Sequence, residues 1–326
     1  MPCFYRNTQK MTKLSLAPFQ GITDSVFRNV FAEHFNGIDK YYTPFFTAIQ
    51  KDNSKNLRGE EIDPQHNDIS ILTPQILSND AKETIRFATH CKSLGYKEIN
   101  LNMGCPFPRV ANKGRGCGMM TEPDKTTAIL KDIINNIDID FSIKCRLGYK
   151  NNDEIDNFIE TFNILPFSEI ILHPRTGKQL YGGTADINSF ARAASMIGKP
   201  LIYNGDIFSI EYYKNLRERL PDTESFMLGR GILVNPFLAE DISGKTKNEK
   251  NRNTRLHSFM ISLYLERMKH SGGSPKVIGR MKELWSYLMY SFEEPQTVWR
   301  KIKKVTHTEE YEDAVEEVFN NNKLIL

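Results

Sequence analysis

Short apolar runs alternate with longer amphipathic stretches between residues 14 and 228. Eight of these runs are rich in β-branched residues and end near Gly, Pro or Asn, which is the pattern of buried strands. We predict strands at 14–18, 39–45, 69–75, 97–102, 141–146, 169–173, 200–204 and 224–228. Helix-start residues such as Asp24, Asp80 and Pro123 open stretches between them. This alternation predicts an α/β fold, the (β/α)8 TIM barrel.

The pattern changes after the last predicted strand. A polar linker occupies residues 241–254, and only helical periodicity follows it, at 254–270, 275–291, 295–304 and 309–321. We therefore predict two domains, a barrel at 1–240 and a small C-terminal helical bundle at 241–326.

The chain contains no apolar run of the ~18 residues that a membrane span needs. Its amino terminus lacks the apolar core of a signal peptide, so we expect a cytoplasmic protein without membrane attachment. The five cysteines include no Cys-x-x-Cys pair, which favours free thiols over disulfides or a zinc site. We expect no metal and a monomer.

The net charge of +3 is unevenly distributed. Residues 241–304 hold 14 basic and 6 acidic side chains, whereas residues 305–326 hold 1 and 6. A basic block interleaved with aromatic residues is typical of a nucleic-acid surface, and a solvated helical face is the alternative. The candidate contacts are Arg280, Lys282, Trp285, Lys301 and Lys304. For the tryptophan, a place in the domain core fits the pattern equally well.

The chemistry is centred on the loop after the fourth predicted strand. Gly104 and Pro106 constrain the backbone on either side of Cys105, so the thiol is presented rather than packed. Further glycines follow within 114–118. Most free cysteines are buried apolar side chains, but a Gly-Cys-Pro loop at a strand end is poor core material. We predict an active-site loop.

Polar side chains stand at or just past the carboxyl ends of five predicted strands. They are Gln75, Asn102, Lys144, Arg146, His173 and Asn204. This end of a (β/α)8 barrel carries the active site. Lys144 and Arg146 are two residues apart and share a face of their strand, so two cations point into one barrel mouth and require an anion.

The last two strand-to-helix loops predict where such an anion binds. Asn204-Gly205-Asp206 follows the seventh predicted strand, and Gly229-Arg230-Gly231 follows the eighth. These loops form the usual phosphate site of the fold, where main-chain N–H groups face the anion. A phosphorylated ligand is therefore expected.

Six motifs in this order resemble those of the tRNA-dihydrouridine synthases. They are Ala17-Pro18-Phe19-Gln20-Gly21-Ile22-Thr23-Asp24 with Phe27-Arg28, Asn102-Met103-Gly104-Cys105-Pro106, Lys144-Cys145-Arg146, His173-Pro174-Arg175-Thr176, Asn204-Gly205-Asp206 and Gly229-Arg230-Gly231. The likeness covers the barrel from end to end, and the helical part matches in character more than in motif. Motifs are needed for such an assignment, because many unrelated activities share the barrel.

The resemblance implies an FMN enzyme that reduces the C5=C6 double bond of selected uridines in the tRNA D-loop, with NADPH as electron donor. FMN would contact Pro18, Phe19, Gln20, Gln75, Lys144 and His173, and its phosphate would bind Asn204, Gly205, Asp206, Gly229 and Arg230. Lys144 would stabilise the negative charge that reduced flavin carries near N1.

The resemblance also implies roles toward the uridine. Hydride would pass from flavin N5 to C6, and Cys105 would protonate C5 as the general acid. Asn102, Arg146 and Arg175 would position the base and the loop around it. The basic helical domain would grip tRNA phosphates, which would offset the cost of turning the uridine out of its stack.

Two positions depart from the family pattern. Phe19-Gln20 replaces a methionine and a small residue found in many members, which would alter contacts at the flavin edge. Cys117 stands where a small residue is usual, and we interpret it as a substitute for that residue and not as a second acid.

Two other functions share parts of this pattern. An FMN barrel of the dihydroorotate or old-yellow type would act on a small molecule, but it would leave the basic helical domain without a role. A tRNA-binding protein that had lost its redox activity would not need Cys105, Lys144 and His173.

Overall fold

The part of the chain up to residue 228 forms a closed ring of parallel strands. The computed structural model describes residues 12–49, 59–245, 251–271 and 274–326. Within these residues the strands are β1 (Lys13–Leu16), β2 (Lys40–Tyr42), β3 (Leu72–Thr73), β4 (Gln75–Ile76), β5 (Glu98–Met103), β6 (Asp140–Gly148), β7 (Ile170–Thr176), β8 (Leu201–Tyr203) and β9 (Ser225–Leu228). Their order around the ring is β3, β2, β1, β9, β8, β7, β6, β5, β4.

The third predicted strand is present as two short pieces, β3 and β4, on either side of Pro74. Proline has no N–H to donate, so the ladder is interrupted at this residue. β3 pairs with β2 and β4 pairs with β5, so the two pieces together occupy one position in the ring. The (β/α)8 barrel is confirmed, and each predicted strand overlaps one of its strands.

Helices follow the strands and cover the outside of the ring. They are α1 (Ser25–His34), α2 (Gly59–Ile62), α3 (Ala81–Ser93), α4 (Pro108–Ala111), α5 (Pro123–Asn135), α6 (Ile159–Ile164), α7 (Ile187–Met196), α8 (Ile210–Arg219) and α9 (Arg230–Val234). The Asp24 and Asp80 carboxylates cap α1 and α3 by accepting main-chain N–H groups, and Pro123 is the first residue of α5. These three predicted helix starts are confirmed.

The rest of the described chain is mostly helical. It comprises α10 (Leu238–Ser243), α11 (Arg252–Ser271), α12 (Ser274–Leu288), α13 (Pro295–Lys304) and α14 (Thr308–Asn321). α11 packs against α1 of the barrel, and α12 packs against α9. The C-terminal helical bundle is confirmed, although α10 runs across the predicted boundary at residue 240.

A carboxylate on the first barrel loop joins the helical bundle to the barrel. Asp24 accepts a hydrogen bond from Arg267 Nη1 (2.8 Å) and another from Arg280 Nη1 (3.0 Å). Arg280 Nη1 also donates to the carbonyl of Gly21 (2.7 Å). One carboxylate therefore fixes α11, α12 and the loop after β1 relative to one another.

An ion-pair cluster closes the amino-terminal end of the barrel interior. Lys40 Nζ lies 2.7 Å from Glu98 Oε2 and 2.6 Å from Glu169 Oε1, and the Tyr42 hydroxyl also donates to Glu169. β2 does not neighbour β5 or β7, so these contacts cross the inside of the ring. The lysine neutralises two largely buried carboxylates.

Replacing Lys40 with methionine should destabilise the fold. The change leaves Glu98 and Glu169 buried without a counter-charge, and removal of one partner of a buried pair costs about 3 kcal/mol. Burial already raises the pKa of Glu98, so the loss should shrink as the pH falls and these carboxyls take up protons. Denaturant unfolding at two pH values measures both effects.

Lys92→Met is the matched control for this measurement. Its pair with Asp138 is exposed on both sides and screened by solvent, so the loss should be much smaller than for Lys40→Met. Equal losses in the two variants would show that the Lys40 cluster is not a stabilising element.

Candidate active site

The main cavity opens at the carboxyl ends of the strands. Its volume is about 460 Å3, and the residues on its wall include Pro18, Phe19, Gln20, Asn102, Cys105, Phe107, Lys144, Arg146, His173, Tyr181, Arg230, Glu283, Ser286 and Tyr287. A smaller cavity of about 70 Å3 adjoins it and shares Pro18, Phe19, Lys144, His173, Tyr181 and Arg230. Most of the polar residues predicted from the strand ends therefore meet at one site.

The cations of β6 give the cavity floor a positive charge. Burial, together with the neighbouring Arg146, lowers the pKa of Lys144 to about 8. Within the described residues no carboxylate pairs with Lys144. Arg146 donates to the carbonyls of Gly104 (3.0 Å) and Thr176 (2.7 Å), which holds its guanidinium against the wall. An anionic ligand at Lys144 would restore the full lysine charge.

Asn102 determines the position of the Cys105 loop. Its Oδ1 accepts the main-chain N–H groups of Gly104 (3.0 Å) and Cys105 (2.9 Å). Arg146 binds the Gly104 carbonyl from the other side. The loop is therefore held by side chains of two adjacent strands, β5 and β6.

A chain of side-chain hydrogen bonds supports Asn102 from below. Asn102 Nδ2 donates to Gln75 Oε1, Gln75 Nε2 donates to Asn100 Oδ1, and Asn100 Nδ2 donates to Ser142 Oγ, each over 2.9 Å. Ser142 Oγ donates to Glu98 (2.5 Å), which belongs to the ion-pair cluster. Gln75 is fully buried and does not line the cavity. In this structure Gln75 therefore supports Asn102, and the cofactor contact expected for Gln75 stays a prediction.

The Cys105 thiol lies on the cavity wall in its protonated form. Its residue is only 7% exposed, and burial raises the pKa of the thiol. The Phe107 main-chain N–H donates to the sulfur, and the charges of Arg146 and Arg109 also oppose the rise. At neutral pH the group is a proton donor and not a thiolate.

His173 is neutral and has one defined tautomer. Burial, with the charges of Arg146 and Lys144, lowers its pKa well below the ordinary value. Arg175 Nη1 donates to His173 Nε2 (3.1 Å), so the ring proton is on Nδ1. The imidazole therefore carries one N–H donor and no charge.

Arg175 and Arg230 share the carboxylate of Asp206. Arg175 binds both carboxylate oxygens, and Arg230 Nη2 donates to Oδ1 over 2.8 Å. Arg175 also donates to the carbonyls of Gly182 and Gly183, is 1% exposed and lines neither cavity. Arg175 therefore positions a loop and His173 in this structure, and the contact with the base expected for Arg175 stays a prediction.

The smaller cavity lies between the loops after β8 and β9. Its wall includes Asn204, Gly205, Asp206, Gly229 and Arg230, which are the five residues predicted to hold a phosphate. Gly231 closes it, and a Cβ there would lie 1.9 Å from the Ile207 carbonyl oxygen, so no larger residue fits. The cavity suits a group the size of a phosphate.

Two tyrosines on the cavity wall were not predicted as site residues. Tyr181 lies under two guanidinium groups, with its ring centroid 5.5 Å from Arg146 and 5.1 Å from Arg230. Tyr287 of α12 meets Phe19 edge to face at 6.2 Å. Tyr181 could have been predicted as a site residue, because it lies in the glycine-containing loop that follows His173. Tyr287 could not, because its position depends on how α12 packs.

The predicted nucleic-acid contacts lie in different environments. Arg280 is bound to Asp24, Lys282 donates to the carbonyls of Lys303 and Val305, and Lys301 pairs with Glu317. Lys304 is exposed at the end of α13. Among the residues that the structure describes, Lys304 is therefore the cation of this predicted set without an ion pair.

Trp285 is a core residue of the helical bundle. It is fully buried, its Nε1 donates to the Tyr311 hydroxyl over 3.0 Å, and it packs against Phe292 and Phe319. A buried ring offers no face to a base, so the prediction of a nucleic-acid contact for Trp285 is wrong.

The described residues contain neither a metal-binding group of side chains nor a membrane-spanning helix. Nowhere in these residues do three or more His, Cys, Asp or Glu side chains come together in a group that could hold a metal. Of the helices described, none has the length and apolar character needed to cross a bilayer.

The fold and the cavity define the class of protein. A (β/α)8 barrel with a cationic cavity at its carboxyl face is the architecture of a barrel enzyme. Histamine dehydrogenase from Rhizobium sp. 4-9 has this fold, with a TM-score of 0.56 and 11% identity over 96% of this chain and 63% of that chain. Morphinone reductase, solved with tetrahydroNAD, matches with a TM-score of 0.51 and 8% identity over 74% of this chain and 90% of that chain.

The sequence comparison assigns the family. A dihydrouridine synthase (Dus) family model matches residues 15–323, so the chain belongs to the dihydrouridine synthase family. A probable tRNA-dihydrouridine synthase 1 of Synechocystis sp. is 29% identical over 72% of this chain and 66% of that protein, just under two thirds of its length. A tRNA-dihydrouridine synthase B of Pasteurella multocida is 27% identical over 71% and 68%, and a tRNA-dihydrouridine(16) synthase of Pseudomonas syringae is 26% identical over 73% and 77%.

Proposed function

We propose that the protein is a tRNA-dihydrouridine synthase, which reduces the C5=C6 double bond of selected D-loop uridines to 5,6-dihydrouridine with FMN and NADPH. The observation that carries this proposal is the Cys105 thiol. It is protonated, fixed by Asn102, and placed on the wall of a cavity that has a cationic floor and a phosphate-sized extension. This combination fits proton donation beside a phosphorylated cofactor.

The donor groups of the cavity fit FMN. The smaller cavity would take the phosphate against Asn204, Gly205, Gly229 and Arg230, with Asp206 orienting the arginine. Lys144 and the Nδ1–H of His173 would donate to the ring system, and Pro18, Phe19 and Gln20 would border it. FMN would supply the hydride, from N5 to C6 of the uracil, after reduction by NADPH.

The chain itself supplies the proton and the geometry. Cys105 would transfer its proton from sulfur to C5 of the uracil. Asn102 would keep the thiol in place beside the base, and Arg146 would hold the opposite side of the same loop. Because His173 is neutral, it would not compete with Cys105 as a proton donor to the uracil.

The tRNA would lie across the barrel mouth and the helical bundle. The target uridine must leave its stack to reach the cavity, which costs a few kcal/mol. Residues 241–326 would offset that cost by binding tRNA phosphates. Helix α12 of this part also forms one side of the cavity, with Glu283, Ser286 and Tyr287. Lys304 is the first candidate for a phosphate contact, followed by Lys301, Lys282 and Arg280 if their present partners are displaced.

Mass spectrometry of nucleosides tests this function. Unmodified tRNA is incubated with the purified protein, FMN and NADPH, and its uridines are examined for a gain of two hydrogens. A gain at one D-loop uridine is expected. NADPH oxidation without any such gain would contradict the proposal and favour an FMN barrel that acts on a small molecule.

Lys304→Gln should reduce the salt dependence of tRNA binding. Loss of one phosphate contact lowers the slope of log K against log salt concentration by about 0.7–0.9. Binding titrations at several salt concentrations measure it. Lys97→Gln is the control, because Lys97 is exposed beside the amino-terminal end of β5, at the opposite end of the barrel. Equal slopes for the wild type and Lys304→Gln would remove Lys304 from the interface.

A further inference from the structure

Phe107 is an exposed aromatic side chain at the rim of the active-site cavity. Its exposed fraction is 44%, and it borders the cavity next to Cys105 and Pro106. Single exposed apolar side chains are ordinary on protein surfaces. This one differs because of its place beside the reactive thiol, its backbone and its neighbour Arg109.

The main chain holds Phe107 in one place beside the thiol. Pro106 and Pro108 flank it and restrict the main chain on both sides. Its carbonyl accepts the N–H of Val110 (2.8 Å) in the first turn of α4, and its own N–H donates to the Cys105 sulfur. The direction in which the Phe107 side chain leaves the main chain is therefore fixed relative to the thiol before any ligand arrives.

Arg109 adds a cation to this rim. Its guanidinium carbon lies 5.9 Å from the centroid of the Phe107 ring, and the side chain is exposed. Within the described residues it pairs with no carboxylate. Unpaired bases stack on aromatic rings, and arginines bind the phosphates between those bases. The two residues thus match one nucleotide step.

We propose that Phe107 stacks on the nucleobase adjacent to the target uridine in tRNA, and that Arg109 binds the phosphate between these two nucleotides. The inference rests on the proposed function, since it needs a uridine that has left its stack. The neighbouring base then loses a stacking partner, and the Phe107 ring replaces that partner at the cavity mouth. Phe107 therefore positions the uridine through its neighbour.

Binding of unmodified tRNA transcripts measures the effect directly, by fluorescence anisotropy. Phe107→Ala should raise Kd about tenfold, equal to about 1.4 kcal/mol, which is within the range for one base stacked on an aromatic ring. Phe107→Trp should bind as the wild type does. Ile164→Ala is the control, since Ile164 is 65% exposed at the end of α6, next to the amino-terminal end of β7 and away from the cavity mouth, and the Kd of this variant should not change.

Abasic substitution identifies the stacked base. In each of two tRNAs, one nucleotide next to the reduced uridine lacks its base, on the 5′ side in the first tRNA and on the 3′ side in the second. If no reduction is seen, such a pair of tRNAs is made for each D-loop uridine in turn. With one of them the wild type should bind about tenfold more weakly, and Phe107→Ala should add no further loss. Undiminished effects of Phe107→Ala on every abasic tRNA, or an unchanged Kd in the intact tRNA, would overturn the inference. Absence of dihydrouridine despite this coupling would contradict the proposed function alone.

Discussion

Cys105→Ala should abolish uridine reduction in tRNA while the protein still binds FMN and oxidises NADPH. Loss of a general acid lowers a rate by about 10²–10⁴-fold, and the thiol lies on the wall of the reaction cavity in its protonated form. Mass spectrometry of dihydrouridine in tRNA gives the first rate, and NADPH oxidation with oxygen as acceptor gives the second. A variant that reduced tRNA at the wild-type rate would remove Cys105 from the mechanism.

Cys117→Ser is the matched control for this experiment. Cys117 is also a buried thiol of the same region, and its N–H donates to the Cys105 carbonyl over 2.9 Å. Its sulfur donates to the Gly148 carbonyl over 3.1 Å, a contact that a hydroxyl can keep. The serine variant should retain most of the activity, because this thiol faces a main-chain carbonyl and lines neither cavity.

The pH dependence adds a second criterion for Cys105. Burial raises the pKa of its thiol, and an acid acts only while it is protonated. The rate of uridine reduction by enzyme whose flavin is already reduced should therefore be level through neutral pH and fall as the pH rises through this raised pKa. The fall should be absent in Cys105→Ser, whose hydroxyl does not titrate in this range. A fall of the same size in that variant would assign it to another group.

Lys144→Met should weaken FMN binding and make the bound flavin harder to reduce. A hydrogen bond to a charged group contributes about 1.5–3 kcal/mol, which corresponds to roughly a 10–100-fold rise in Kd. The negative charge of reduced flavin loses its counter-ion, so the two-electron potential should fall by about 30–60 mV. Fluorescence titration and equilibration with redox dyes measure the two effects. An unchanged potential would place the lysine away from the flavin ring.

Lys150→Met controls for the loss of a positive charge. Lys150 is exposed just beyond the end of the same strand, so neither FMN affinity nor potential should change. The pH profile separates the two lysines further. Because the pKa of Lys144 is about 8 in the free protein, its charge is lost as the pH rises through this value. Affinity for reduced FMN should fall above about pH 8 in the wild type and stay level in Lys144→Met.

Local sequence patterns were sufficient to predict the barrel and the polar groups at its mouth. Each strand is an apolar run closed by a residue that ends strands, and a polar residue at that point must face the carboxyl end of the ring, whatever the helices do. Lys144, His173 and Asn204 could be placed for this reason. The interruption at Pro74 had a local signal too, since proline cannot join a ladder.

Contacts between distant segments had no such signal. Asp24 binds Arg267 and Arg280, which are 243 and 256 residues away, and no periodicity names a partner at that distance. Trp285 and Tyr287 are two residues apart on α12, yet one is in the bundle core and the other is on the cavity wall. Which aromatic faces which side depends on the rotation of the helix, and that is decided only by packing against the barrel.

The hydrogen-bond chain below Asn102 can run in only one direction. At its upper end Asn102 Oδ1 accepts two main-chain N–H groups, so the amide nitrogen must point downward. At its lower end Glu98, paired with Lys40, accepts. Gln75 and Asn100 between them follow the same polarity, and reversing one amide would require reversing all three. The reactive sulfur lies in a loop, but the hydrogen bonds that hold this loop continue into the barrel core. We therefore expect the main-chain N–H groups of Gly104 and Cys105 to exchange with solvent more slowly than those of an ordinary surface loop.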